Sequence, residues 1–70
     1  MQRADMYMLG IANYMITNYP DAIIYLGKVT TEQDTLAQNA YIFIGHANLQ
    51  QHQADMARMA FQNASLIDAD

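Results

Sequence analysis

The sequence predicts an all-α fold: four antiparallel helices joined by short turns, with no strand. Three observations lead there. Apolar residues recur at helical spacing along most of the chain. A segment near the start returns in the second half. Cysteine is absent, so no disulfide is available to hold an irregular small fold. The 70 residues allow one domain, 1–70.

The repeat comes from placing "YMLGIANY" (7–14) above "IFIGHANL" (42–49), which aligns glycine, alanine and asparagine. Gly10 falls on Gly45, an offset of 45 − 10 = 35 residues. The same offset pairs Ala22 with Ala57, Leu26 with Phe61 and Val29 with Ala64. Two units follow, about 3–34 and about 35–70, each of two helices.

The first helix, about 4–17, has apolar positions at Met6, Leu9, Ile11, Tyr14 and Met15. It breaks at "TNYPD", where Pro20 suits the first turn of a new helix because it has no N–H to donate. The second helix, about 20–29, buries Ala22, Ile23, Leu26 and Val29. "TTEQDT" then offers hydroxyl and carboxylate caps for a third helix, about 33–51. "QHQAD" makes the next turn, and the fourth helix covers about 54–65.

The balance of charge narrows the function. Seven acidic and three basic residues give a net charge of −4. Arg3, Lys28 and Arg58 make no basic patch for phosphates, which sets nucleic acid aside. No apolar run approaches the roughly 18 residues of a membrane span, and "MQRADMYMLG" lacks a signal peptide's apolar stretch. Apolar residues are plentiful and charged ones sparse, so the chain folds. An unstapled core this small rarely yields more than about 3–5 kcal/mol. The chain must pack very well, associate, or belong to something longer.

No constellation of side chains points to catalysis, a metal or a cofactor. His46 lies on the third helix and His52 in the turn after it, and neither has the i, i+4 ligand partner a helical zinc site wants. They read as a groove histidine and a turn histidine. Asp5, Asp21, Glu32, Asp34, Asp55, Asp68 and Asp70 fall mostly near helix starts or chain ends, where solvation and the helix dipole account for them. The expectation is a protein that is not an enzyme.

Helix–turn–helix units of about 34 residues resemble the tetratricopeptide repeat (TPR) family. The first unit carries Met6, Leu9-Gly10, Ala12, Ala22, Leu26 and Val29 at the family's positions, and the second Tyr41, Ile44-Gly45, Ala47, Ala57, Phe61 and Ala64. Asn13 and Asn48 stand where an aromatic is usual, and Asp34 where a proline is usual. The resemblance implies an α-solenoid fragment whose A and B helices cross closely at Gly10, Ala22, Gly45 and Ala57. That explains a mid-helix glycine, otherwise about 1 kcal/mol worse than alanine. "QDTLAQNAY", "ARMAF" and "QNAS" are also similar to multi-repeat TPR proteins of bacterial cell envelopes, which would make the chain part of a longer protein.

By position in the family, the concave groove is lined by Tyr7, Ile11, Tyr14 and Met15 of the first unit. The second contributes Asn39, Ile42, Phe43, His46, Leu49 and Gln50. Tyr7, Ile11 and Phe43 replace the polar residues with which related domains clamp acidic tails, so that mechanism is not expected. The surface suits an apolar or amphipathic peptide or protein segment, or else burial by a partner or further repeats. Asn13 and Asn48 have two readings, a repeated structural hydrogen bond and a contact to a ligand backbone. Met6, Met8, Met15, Met56 and Met59 read as core or as a seam to a neighbouring repeat.

The function expected is a non-catalytic protein–protein interaction module, a scaffold fragment of a longer solenoid. The alternative is a small stand-alone chaperone or assembly factor that holds an apolar segment. Because solenoids usually need about three repeats, the isolated chain is expected to self-associate, through the open end of the second repeat or through the groove.

Overall fold

The computed structural model describes residues 2–68; Asp70, expected to be a solvated chain end, lies outside them. The described chain is four helices: α1 (Arg3–Met15), α2 (Tyr19–Gly27), α3 (Thr35–Gln50) and α4 (Ala54–Ser65). The expected fold class holds. α1 packs on α2, α2 on α3 and α3 on α4, with a smaller contact between α1 and α3. The result is a slab of 30 × 27 × 15 Å.

Three helices are shorter than the sequence suggests, each for a local reason. α1 stops at Met15 rather than 17 because Thr17 turns left-handed, with φ 64°. The Thr17 N–H donates to Tyr14 O (3.0 Å) and the Asn18 N–H to Asn13 O (2.8 Å). These two bonds form a Schellman cap. α3 ends the same way: His52 has φ 60°, its N–H donates to Leu49 O (3.0 Å), and the Gln53 N–H donates to Asn48 O (2.9 Å). α2 begins at Tyr19, with Pro20 in its first turn. It ends at Gly27 rather than 29, and the following residues tighten into i→i+3 bonds, with the Val29 N–H on Leu26 O (3.0 Å). α3 begins at 35 rather than 33 because Asp34 is its N-cap, Oδ1 accepting from the Ala37 N–H (2.9 Å).

Leu26, Val29 and Ala40 form the buried centre, with Met6, Tyr7, Ile11, Leu36, Phe43 and Ile44 packed around it. The glycines sit where helices cross. A Cβ on Gly10 would lie 2.6 Å from Leu26 Cγ, and one on Gly45 2.6 Å from the Phe61 ring. Ala22 and Ala57, the other two crossing positions, are buried at the same two interfaces.

Candidate functional site: the exposed faces of a two-unit repeat

The 35-residue offset extends from sequence into contacts. Asn13 Nδ2 donates to Leu9 O (2.8 Å) and Asn48 Nδ2 to Ile44 O (3.0 Å), each one turn back on its own helix. This is the repeated structural bond, and Asn48 makes it while only 4% exposed. Thr30 Oγ1 donates to Gly27 O (2.8 Å), and its counterpart Ser65 Oγ donates to Gln62 O (2.7 Å). Both units therefore close their helices with the same bonds.

Arg3 and Gln38, also offset by 35, buckle each unit. Arg3 donates from Nε (3.0 Å) and Nη2 (2.6 Å) to Val29 O, and Gln38 Nε2 donates to Ala64 O (3.0 Å) and Ile67 O (2.9 Å). In each case the first turn of an A helix ties down the carbonyl end of the following B helix. Arg3 goes further, pairing with Glu32 Oε2 (2.8 Å) and with both carboxylate oxygens of Asp34 (2.7 and 2.9 Å). The Asp34 carboxyl is held well below the usual carboxylate range, first by the Arg3 hydrogen bond and then by the Ala37 N–H, with desolvation opposing both. The same hydrogen bond raises Arg3 above its ordinary value. Sequence reasoning counted Arg3 only as a stray positive charge. Extending the alignment back to Arg3 and Gln38 would have marked the pair.

The ten expected groove residues divide into two sets. Tyr7, Ile11, Tyr14 and Phe43 are half-buried and spend their surface on one another or on the core. Phe43 meets Tyr7 and Tyr14 edge-on, with centroids 6.4 and 5.4 Å apart, and Tyr14 meets Tyr19 at 5.5 Å. Met15, Asn39, Ile42, His46, Leu49 and Gln50 are exposed. His46 rests edge-on against Phe61, 5.3 Å between centroids, so its ring doubles as packing.

Apolar surface also lies outside the groove. On the outer side of α1 a shallow depression is lined by Asp5, Met8, Leu9 and Ala12. A second, between α2, α3 and α4, is lined by Ile23, Tyr41, Ile44, Asn48, Met56, Met59, Ala60 and Asn63. Most of the methionines read as core or seam are therefore at the surface: Met8, Met15, Met56 and Met59 are all more than half exposed, and Met6 alone packs on the core.

Among the described residues no three His, Cys, Asp or Glu side chains are grouped to hold a metal ion. No buried side-chain nitrogen or oxygen among them lacks a partner. No helix of the described chain is long and apolar enough to cross a membrane. No protein-family model matches the chain, and no curated protein or solved structure matches it.

Proposed function

We propose that this chain is a non-catalytic protein–protein interaction module, a two-unit TPR-like scaffold belonging to a longer solenoid. The observation that carries the reading is the coexistence of repeated internal contacts with large apolar side chains left uncovered on several faces. Monomeric proteins rarely leave contiguous apolar patches larger than a few hundred Å². Small helical units that cannot bury their faces alone commonly do so against neighbours.

The occupant of the concave face is an amphipathic or apolar segment, set against Ile42, Leu49 and Met15 with Asn39, His46 and Gln50 as polar points. The net charge of −4 favours a basic segment by electrostatic complementarity. A two-dimensional NMR titration with a basic amphipathic model helix tests this. Saturable shifts confined to Met15, Asn39, Ile42, His46 and Leu49 are the expected result; shifts elsewhere, or none, would refute it.

A second reading, a chaperone-like holder of apolar segments, is favoured by the exposed methionines, whose flexible thioethers suit promiscuous surfaces. It differs by binding unrelated apolar sequences with similar affinity. In either reading the resemblance to bacterial envelope proteins supplies the proposed setting.

A further inference from the structure

The two units are equivalent in contacts but not in neighbours, and the difference exposes one face. The α3 residues Ala40 and Ala47 are completely buried, and this helix is covered mainly by α2 of the preceding unit and, at Phe43, by α1. Their counterparts on α1 are Asp5 and Ala12, both exposed, with Met8 between them 68% exposed. The same face is covered in one unit and bare in the other.

The molecule itself shows what shape covers such a face: an α2-like helix. It carries a second helix of that kind, α4, which touches only α3 among the described elements and so has a free side where α2 has α3. α2 turns Ile23 toward α3; the equivalent position on α4 is Arg58, which is exposed, whereas Phe61, the counterpart of Leu26, packs on Gly45 and His46 within its own unit. Across the two bare faces a charge replaces an apolar residue at these equivalent positions, with opposite signs. Asp5 stands for Ala40 and Arg58 for Ile23. Ile23 lines the same depression as Ile44, so Arg58 docked in the same way lies beside Leu9, one helical turn from Asp5. That is within reach of an arginine side chain.

We infer that the outer face of α1 receives α4 of a second copy of this chain, head to tail, reproducing the α2–α3 junction with an Asp5–Arg58 ion pair. This rests on the reading of the chain as an interaction module but uses a face separate from the groove, so the peptide titration and the association assay fail independently. A head-to-tail contact does not close on itself and extends beyond a dimer.

Sedimentation of the 70-residue chain across about a hundredfold concentration range is the test. The expected result is a concentration-dependent series passing beyond dimer. Ala12→Arg, at an exposed helical position, and Arg58→Glu should each weaken association by about tenfold or more, with circular dichroism unchanged. Mixing the two variants should restore a one-to-one heterodimer and nothing larger, since each retains the half the other lacks. A wild-type monomer throughout overturns the second-copy assignment and leaves the face to a different protein. A dimer that never extends, or one lost in Ala12→Arg and untouched in Arg58→Glu, marks a two-fold α1–α1 contact and overturns the head-to-tail geometry.

Discussion

Gly10 sets two physical effects against each other, and the distances decide which wins. Helix propensity alone makes glycine to alanine favourable by about 1 kcal/mol. A Cβ at Gly10, however, would lie 2.6 Å from Leu26 Cγ and 3.3 Å from the Leu26 backbone nitrogen. Leu26 is fully buried and has nowhere to retreat. Gly10→Ala should therefore destabilise by about 1–3 kcal/mol, the scale of overpacking. Gly45→Ala should destabilise on the same scale, because a Cβ there would lie 2.6 Å from the partly buried Phe61 ring. Urea denaturation of the two variants checks both signs, and a stabilised Gly10→Ala would overturn the crossing role. Thr17 offers the opposite case: a β-branched residue held at φ 64°, where L residues lose about 1–2 kcal/mol. Thr17→Gly should raise stability by about 1 kcal/mol in the same assay. The glycines were legible because they repeat in sequence. The left-handed caps were not, since Thr17 and His52 share no residue type and neither is a glycine.

At the level of elements, the helices were legible from periodicity and their ends were not. Only α4 (Ala54–Ser65) matches its expected bounds. The ends of α1 and α3 are set by backbone caps, and the start of α3 by one carboxylate among several capping candidates in "TTEQDT". The Arg3–Asp34 buckle links α1, the end of α2 and the start of α3, and it makes stability depend on acid. Asp34 has a lowered folded pKa, so its contribution is complete above the unfolded value of about 3.9. It is lost as pH falls from there through the folded value. The side chain is 44% exposed, so screening tempers the effect. Arg3→Gln copies the Gln38 buckle: it should keep a bond to Val29 O but lose the ion pair. Melting temperatures measured from pH 6 to pH 2 should fall less steeply below about pH 4 in Arg3→Gln than in the wild type. Parallel curves would show that the buckle carries no charge-linked stability.

Across the whole molecule, two units fill a slab only 15 Å deep, and much of the apolar surface stays outside. The sequence made the repeat visible and, by resemblance, a concave face, but it could not divide that face. Tyr7, Ile11, Tyr14 and Phe43 have the same helical spacing whether they line a groove or hold α1 against α3. Edge contacts of Tyr7 and Tyr14 with Phe43, and the packing of Ile11 on the core, give these four the role of holding α1 against α3 whatever else they line. The outer face of α1 was likewise invisible, because Ala12 and Ala47 read identically until one is found exposed and the other covered. These uncovered faces should bury one another between copies of the chain. Thermal melts followed by circular dichroism at concentrations about a hundredfold apart read that association. A melting temperature that climbs with concentration is the expected result. An identical melting temperature at both ends of the range would contradict it, showing two repeats stable alone with their apolar faces in water.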